Sequence, residues 1–460
     1  MNSLQHEYGF KDLERWNETI EAIAKDMGLD YYDQEFEMVS YKDMLANEAY
    51  LGMPSRYPHW SFGKAYEKNS TIYKYNLTGL PYEMVINSDP CIAYLMQENT
   101  LLLQILTMAH VYGHNDFFKN NRMFKERTKA DYTVEMFKTH SQIVRGYIND
   151  PSIGYENVER VLDSAHAIKL QISRVADKNR LDDNVLRNRI IEKYAKENEN
   201  YDILGQKKKT ELPDLNKIPL EPEEDILYFI IKYGELMDWE KNLLQIVRKE
   251  TEYFIPQIET KIMNEGWASF FHYNILKKLN LEEGLYFEFV KRHNDVIAPG
   301  FGSINPYFIG FKMLEDIERR YGREKLFEVR ALERDESFIR KYLTQELCYE
   351  LNLFQYANDK GSYVIKEVSD EEGWKNIRNT LSSSCGMGSI PVIRIMDMSK
   401  KDGTLYMEHV YDGRELNMDY AKATLKHVFK LWGHNVILRT KQSEKNVELS
   451  CENGDRVTIK

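Results

Sequence analysis

The strongest chemical signal in the sequence is a pair of histidines four residues apart, in His110-Val-Tyr-Gly-His114. Residues at positions i and i+4 of a helix share one face, with Cβ atoms about 5–6 Å apart, so both imidazoles can reach one ion. The histidines of the HExxH metallopeptidase motif have the same spacing. Because Val111 replaces the glutamate of that motif, we expect a metal site whose general base comes from elsewhere. The competing interpretation is two helix histidines in a packed core.

A second segment, Thr260 to His272, can supply the third ligand. Its string Asn264-Glu-Gly-Trp-Ala resembles the helix that delivers a glutamate ligand in gluzincin-type metallopeptidases. Glu265 would complete a His-His-Glu set around a divalent metal, with Zn²⁺ the expected ion, and leave one position open for water. Gly266 would let a neighbouring helix approach closely. The alternative for Glu265 is a surface ion pair with Lys261.

Four residues are predicted to supply the missing proton transfer: His272, His140, Asp116 and Glu250. His272 follows Glu265 by two helical turns, about 10.5 Å of rise, so direct ligation of one ion by both side chains would be strained. It would instead support a ligand, bind a second ion or act as the acid–base group.

Substrate contacts are predicted at two polar segments and one helix start. Asn120 and Asn121 follow the histidine pair, although an asparagine pair also suits a helix end. Arg56, His59 and Trp60 lie in a segment rich in proline and aromatic residues, which suits substrate contact or a packing plug. Tyr307 follows Asn305, which can cap a helix, and is a candidate oxyanion donor or a structural residue.

A third set of candidates, Glu159, Asp163 and His166, shares one helical face. Such faces build di-metal centres in helical bundles, here together with the histidine pair, and an oxygen-activating protein would follow. The competing interpretation is a solvated face with salt bridges.

Helices must position most of these residues, because apolar residues recur at steps of three and four through much of the chain. The pattern predicts helices at 7–50, from Asp89-Pro90 to Phe118, at 131–149 and 155–177, from Glu224 to a break or kink at Pro256, then around 260–272, at 306–322 and at 335–348.

Beyond about residue 355 the period changes to the alternation typical of strands. We expect strands at 391–396, 404–410, 435–440, 446–451 and 456–459, and a helix at 418–432. The predicted fold is mainly α: a large helical domain, residues 1–355, with zincin-like metal-site helices, then a small α+β C-terminal domain, residues 356–460. Within the first domain, the charged, proline-containing residues 178–224 are predicted to form a linker or mobile insertion.

Composition excludes several classes of protein. The chain has 460 residues, 42% hydrophobic and 29% charged, which is typical of a folded soluble protein. A formal charge of −11 argues against a duplex nucleic-acid binder. The cysteines are scattered without a CxxC pair. Polar residues interrupt the apolar stretch Ala93 to Tyr112, so no membrane span is expected. The nucleotide-binding GxxxxGK[ST] and hydrolase GxSxG motifs are absent.

Five strings of this chain resemble the stage V sporulation protein R (SpoVR) family, in the same order along nearly the whole chain. The resemblance implies a bacterial cytoplasmic protein linked to spore cortex formation. It also implies, for relatives in other bacteria, association with a serine protein kinase and a von Willebrand A-like protein in stress responses. The strings are Arg56 to Gly63, His110 to Asn121, Tyr253 to Gln257, Thr260 to His272 and Ile304 to Tyr307.

Two functions from different classes therefore remain open. The first is a metal-dependent hydrolase of an amide bond, in a peptide or a peptidoglycan precursor, with His110, His114 and Glu265 as ligands. The second is a non-catalytic scaffold or regulator that acts with the kinase and the von Willebrand A-like partner, which Val111 at the glutamate position favours. The hydrolase function requires that the two imidazoles and the carboxylate lie close together in the folded protein.

Overall fold

The computed structural model describes residues 8–74, 83–175, 180–199, 212–299, 304–359, 362–367, 370–454 and 456–460. The chain forms two compact units, each from two stretches of sequence. The first contains Met1–Arg145 and Glu252–Ser389, and the second contains Gly146–Thr251 and Ile390–Lys460. This division differs from the predicted boundary near residue 355, because the helices of 146–251 are grouped with the C-terminal strands.

The first unit is mainly helical, with a small sheet near its N-terminus. Its elements are α1 (Phe10–Asp26), β1 (Gln34–Val39), α2 (Tyr41–Ala49), α3 (Trp60–Lys74), β2 (Glu83–Ile86), β3 (Cys91–Met96), α4 (Leu101–Asn120), α5 (Arg122–Arg127), α6 (Thr133–Asn149), α11 (Lys261–Lys278), α12 (Glu283–Val296), α13 (Pro306–Tyr321), α14 (Arg323–Leu332), α15 (Asp335–Tyr342), α16 (Gln345–Glu350), β4 (Gln355–Asp359), β5 (Ser362–Glu367) and α17 (Gly373–Ser384).

The second unit combines four helices from the middle of the chain with the C-terminal strands. Its elements are α7 (Gly154–Ile168), α8 (Asp183–Glu199), α9 (Ile226–Tyr233), α10 (Asp238–Glu259, which continues into the first unit), β6 (Ile393–Met398), β7 (Leu405–His409), α18 (Met418–Trp432), β8 (Val436–Gln442), β9 (Lys445–Cys451) and β10 (Val457–Ile459).

The N-terminal sheet was not predicted as such. Its order is β1-β3-β2, with β3 parallel to β1 and antiparallel to β2. The predicted helix over 7–50 is wrong between Asp26 and Tyr41: Gly28, with a φ of +88°, ends α1, and strand β1 follows before α2. The helix predicted to start at Asp89-Pro90 is also wrong, because Cys91–Met96 form the central strand. A short apolar run cannot distinguish a buried strand from a buried helix. Helix α4 begins instead at Leu101, where the Thr100 hydroxyl accepts the Leu103 amide.

Several other elements follow the predictions closely. Helices are confirmed at Thr133–Asn149, Pro306–Tyr321 and Met418–Trp432, and the C-terminal strands lie within a few residues of their expected positions. The helix predicted from Glu224 is two helices separated at Gly234, and Pro256 lies inside α10 rather than at its end.

The segment 178–224, expected to be a linker or mobile insertion, contains regular structure in its described part. Helix α8 spans Asp183–Glu199, and Glu223 pairs with Ile395 through two backbone hydrogen bonds of 3.1 and 2.8 Å. The residues 200–211, which include the lysine run, lie outside the described part of the chain.

Helix α11 lies at the centre of the first unit, packed between α4 and α13. Residues on all of its sides are buried, including Trp267, Phe270 and Phe271. A helix that is buried all round has no polar face, which is typical of the centre of a large helical domain. Polar residues on such a helix must find partners inside the protein.

The second unit is built around a five-stranded sheet of order β10-β9-β8-β7-β6. Strands β7 and β8 are parallel and are connected through α18, which packs against α7. Leu425, Val428 and Leu431 form the buried side of α18. The chain is thus mainly helical with a small C-terminal sheet, as the change of periodicity indicated. Among the helices of the described ranges, none has both the length and the apolar composition needed to cross a bilayer.

The crossing of α11 and α13 depends on two glycines. A Cβ added to Gly266 would overlap the backbone of Gly310. We expect Gly266→Ala to lower the free energy of unfolding by about 3 kcal/mol or more, because the two backbones would have to separate. Chemical denaturation of the purified variant measures this change.

Gly146→Ala is the matched control, since a Cβ at Gly146 meets nothing within 4 Å in the helix α6. This substitution should stabilise by up to about 1 kcal/mol through helix propensity. Equal effects of the two substitutions would contradict the close crossing.

Candidate metal centre

The histidine pair and the glutamate segment meet where α4 crosses α11. A Cβ on Gly113 would lie 2.6 Å from the Cα of Ala268, so only glycine allows the observed approach. Because Gly113 stands beside His114 and Ala268 lies one turn after Glu265, the crossing brings the two segments together. The glycines of both strings are therefore explained by packing, and the packing positions the chemical groups.

Two imidazoles and two carboxylates converge beside this crossing. The Nε2 atom of His114 lies 3.5 Å from Oε2 of Glu265, and Nε2 of His110 lies 3.8 Å from Oε1 of Glu83. The ligand atoms of Glu83, His110 and His114 all lie within 4.8 Å of one another. Of the predicted ligands, His110 and His114 share this group with Glu83 from the edge strand β2, and Glu265 lies beside it, 3.5 Å from His114.

The distances can be compared with those between ligands of a single ion. Two donors bound to zinc at about 2.1 Å in tetrahedral geometry are separated by about 3.4 Å. The separations of 3.5 and 3.8 Å between imidazole and carboxylate atoms are close to this value. Imidazole and carboxylate donors are ligands that zinc, iron and manganese accept. The residues present therefore fit a divalent cation.

Asn264 determines which nitrogen of His114 carries the proton. Its Oδ1 atom lies 2.9 Å from Nδ1 of His114, and both side chains are buried. An amide oxygen only accepts hydrogen bonds, so Nδ1 is the protonated nitrogen. The lone pair of Nε2 then faces Glu265, as a metal ligand requires.

His110 is connected to two further buried histidines. Its Nδ1 atom lies 2.8 Å from Nδ1 of His272, and Nε2 of His272 lies 2.9 Å from Nδ1 of His293 on α12. His272 thus uses both ring nitrogens on other histidines. Of the roles considered for His272, this geometry matches support of a ligand, because neither nitrogen is directed at a substrate.

The three connected imidazoles are uncharged near neutral pH. Burial lowers the pKa of His110 and of His272 well below the ordinary value, and the neighbouring imidazoles lower both further. Burial lowers the pKa of His293 to about 4, with a smaller contribution from Lys312. Neutral imidazole is the form that can bind a metal.

The pKa of Glu83 is shifted in the opposite direction, upward. Burial, followed by repulsion from the Glu265 carboxylate, raises the pKa of Glu83 to about 8. Two carboxylates that share a buried site cannot both ionise cheaply unless a cation lies between them. The cluster of two carboxylates beside two buried imidazoles therefore has the electrostatic character of a cation site.

Tyr307 lies at the rim of the cluster, in the first turn of α13. Its ring is stacked 6.2 Å from the His110 ring, and its hydroxyl is hydrogen-bonded to Glu265. Burial and the nearby carboxylates raise the pKa of Tyr307, so the hydroxyl keeps its proton and donates to Glu265. The Asn305 side chain caps this helix by accepting the Tyr307 amide at 3.0 Å.

Asp116, predicted as a proton donor or acceptor, has a structural position. Its carboxylate accepts the Arg330 guanidinium at 2.6 Å, the Trp267 indole N–H at 2.9 Å and the Asp30 amide at 2.8 Å. Burial raises the pKa of Asp116 to about 6, against the opposing charge of Arg330. With both oxygens occupied, Asp116 joins α4, α11 and α14 rather than facing the cluster.

Asn120 and Asn121, predicted to contact substrate, bind neighbouring backbone. Asn120 donates to the carbonyls of Asp30 and Asp116. Asn121 is fully buried; its oxygen caps α5 and its nitrogen donates to the carbonyls of Arg330 and Glu333. The alternative interpretation, an asparagine pair at a helix end, matches these contacts.

The Arg56 segment is divided between the interior and the surface. The Arg56 side chain is buried, and its guanidinium lies 4.8 Å from the Phe62 ring centroid and within 6 Å of three other rings. His59 is also buried, with Nδ1 2.6 Å from the Ser61 hydroxyl. Trp60 is 51% exposed, and it is the member of this segment that solvent reaches readily.

The remaining candidate residues are not among the contacts described above. His140 is buried on α6, Glu250 is buried on α10 in the second unit, and their roles in proton transfer stay predictions. Glu159, Asp163 and His166 lie on α7 of the second unit. Among the described residues, their donor atoms form no group within 4.8 Å of one another.

Three residues of the site were missed. Glu83 belongs to no recognised motif, and the pairing of its strand with β3 brings it to the histidines. His293 lies on α12, which was not predicted. Asn264 belongs to the recognised string, and a polar residue one position before Glu265 on a buried helix was an available signal.

The chain belongs to the SpoVR family. The family described as SpoVR like protein matches residues 7–390, and the SpoVR-like C-terminal domain matches residues 391–443, starting where the second unit resumes. A protein of Escherichia coli strain K12, named "Uncharacterized protein YcgB", is 34% identical over 486 residues, which cover 96% of this chain and 94% of that protein. No solved structure matches the chain.

The raised pKa of Glu83 predicts how the stability of the metal-free protein depends on pH. The folded state holds the Glu83 proton up to about pH 8, whereas the unfolded state releases it near 4.5. Stability should therefore be highest at low pH with respect to this group, and about 2–4 kcal/mol should be lost as the pH rises from 5 to 8. Thermal unfolding in chelator across this range measures the effect.

Glu83→Gln should flatten this part of the pH profile, because an amide has no proton to release. Asp12→Asn, on the exposed first turn of α1, is a control that should leave the slope unchanged. A wild-type profile parallel to that of Glu83→Gln would contradict the assignment.

Proposed function

We propose that this member of the SpoVR family is a metal-dependent enzyme that hydrolyses an amide bond in a peptide or a peptidoglycan precursor. His110, His114 and Glu265 would hold a divalent ion, with Zn²⁺ the first choice, and Glu83 would transfer the proton. Family membership supports a role related to sporulation, and we place the reaction in the cytoplasm, during spore cortex formation.

The observation that carries this proposal is the convergence of four donor side chains from three separate elements. Two imidazoles on α4 face a carboxylate from α11 and another from β2, at 3.5 and 3.8 Å. Without a cation, the site would bury two mutually repelling carboxylates beside neutral rings. A doubly charged cation balances two carboxylates, which makes a neutral centre of low desolvation cost.

Glu265 is the better candidate for the carboxylate ligand. It lies 3.5 Å from the Nε2 atom of His114, and the Tyr307 hydroxyl donates to it, which orients the carboxylate and supports its negative form. With two imidazoles, it gives the three-ligand set that leaves a coordination position open.

Glu83 is the better candidate for the base that Val111 cannot provide. Burial raises its pKa in the metal-free site, and a neighbouring cation would lower that pKa and favour the carboxylate form that a base requires. A bound ion would acidify a water molecule and polarise the scissile carbonyl. Glu83 would then accept a proton on its carboxylate and pass it to the leaving amine, while Tyr307 contacts the substrate oxygen in the role predicted from the sequence.

The scaffold hypothesis remains the alternative, with a serine protein kinase and a von Willebrand A-like protein as partners. The burial of both His110 and His114 favours it, because a closed site suits a structural ion. In that case the cluster would stabilise the fold and no substrate would be turned over. The two hypotheses differ in what happens when single carboxylates are altered.

Glu265→Gln and Glu83→Gln should separate binding from chemistry. Glu265→Gln should lose about 10- to 100-fold or more in Zn²⁺ affinity, because a ligand is removed, whereas Glu83→Gln should retain the ion. Both should lower hydrolysis by about 10²-fold or more. Zn²⁺ titration and mass spectrometry of a panel of peptides and peptidoglycan precursors measure the two effects.

Asp163→Asn on α7 is a control that should change neither quantity. Zn²⁺-loaded wild-type protein that cleaves no member of the panel would contradict the enzymatic proposal. Full activity of Glu83→Gln would contradict only the role assigned to that residue.

A further inference from the structure

The chain of three histidines has a direction, and its far end determines whether His110 can bind a cation. An imidazole that binds a metal ion is neutral, and each neutral ring in the chain His110, His272 and His293 has one N–H. Two hydrogen bonds, of 2.8 and 2.9 Å, connect the three rings. With one proton on each ring, the chain has two arrangements.

In the first arrangement every N–H is directed away from the carboxylates. His110 donates from Nδ1 to Nδ1 of His272, and His272 donates from Nε2 to Nδ1 of His293. This leaves the lone pair on Nε2 of His110, 3.8 Å from Glu83, where an ion would bind.

In the second arrangement every N–H is directed toward the carboxylates. His293 donates to His272, and His272 donates from Nδ1 to His110. The proton of His110 then lies on Nε2 and occupies the position of the ion. The Nε2 atom of His110 lies 3.8 Å from the Glu83 carboxylate, which is too long for a good hydrogen bond. No hydrogen bond to Glu83 therefore compensates for the lost ligand position.

The first arrangement requires an acceptor at the end of the chain. The Nε2–H group of His272 is fully buried, and Nδ1 of His293 is its partner. Without this acceptor, the buried N–H would be unsatisfied, and His272 would move its proton to Nδ1 instead. That tautomer donates to His110 and imposes the arrangement that excludes the ion.

The surroundings of His293 hold its ring in place. Tyr273 stacks on it with centroids 4.5 Å apart, and Phe311 and Phe289 contact it at 5.0 and 6.1 Å. His293 is 3% exposed. Aromatic packing on several sides fixes the direction of Nδ1 toward His272.

From this geometry we infer that His293 is a positioning residue of the metal centre, which acts through His272 to keep the Nε2 lone pair of His110 available to a divalent cation. The inference rests on the ion site proposed above and adds a residue from α12 that contacts none of the carboxylates of the cluster. It assigns a purpose to a buried polar chain that packing alone does not require.

The test compares two substitutions at position 293 that differ in one hydrogen-bond acceptor. His293→Leu fills similar space without an acceptor, and His293→Asn places an amide oxygen near the position of Nδ1. Zn²⁺ affinity, measured by competition with a chromophoric chelator, should fall about 10- to 100-fold in His293→Leu. It should stay within about threefold of wild type in His293→Asn.

Leu285→Ala is the matched control, because Leu285 packs the same helix against the core and lies eight residues from His293. It should lower the melting temperature of the metal-free protein and leave Zn²⁺ affinity unchanged. Retained affinity in His293→Leu, an equal loss in His293→Asn, or an equal loss in Leu285→Ala would overturn the inference. Wild-type protein that binds no Zn²⁺ would overturn the proposed ion site and this inference together.

Discussion

The close crossing of α4, α11 and α13 is the constraint on which the rest of the site depends. Gly113 meets Ala268 and Gly266 meets Gly310, with no room for a Cβ on any of the three glycines. Helices normally pack 8–10 Å apart, at distances set by the side chains between them. Removing those side chains lets groups 150 residues apart in sequence, those of His114 and Asn264, approach to 2.9 Å.

Such a crossing buries polar groups that need partners within the protein. Asp116 accepts from one Arg330 nitrogen and from the Trp267 indole on one side, while the histidine chain and Asn264 bind the imidazoles on the other. Burial, followed by repulsion from the Glu265 carboxylate, raises the pKa of Glu83 to about 8. Two carboxylates in one buried site favour a cation between them, which is the basis of the proposed metal centre.

Local patterns in the sequence predicted the parts of this site that lie within one helix. The spacing of His110 and His114 and the string around Glu265 depend only on helical periodicity, and both are found as expected. Glu83 could not be predicted, because its position depends on strand pairing across a sheet that a short apolar run did not reveal. The contacts of Asn121 were likewise not predictable, because its nitrogen donates to carbonyls more than 200 residues away while its oxygen caps α5. The zincin-like character of the helices stays a prediction.

The most direct test of the account is the X-ray absorption spectrum of the protein loaded with one equivalent of Zn²⁺. The account predicts two imidazole nitrogens and carboxylate oxygen at about 2.0–2.2 Å, with the imidazole scattering reduced in His114→Ala. A spectrum without imidazole scattering, or one that His114→Ala leaves unchanged, would contradict a cation at the crossing of α4 and α11.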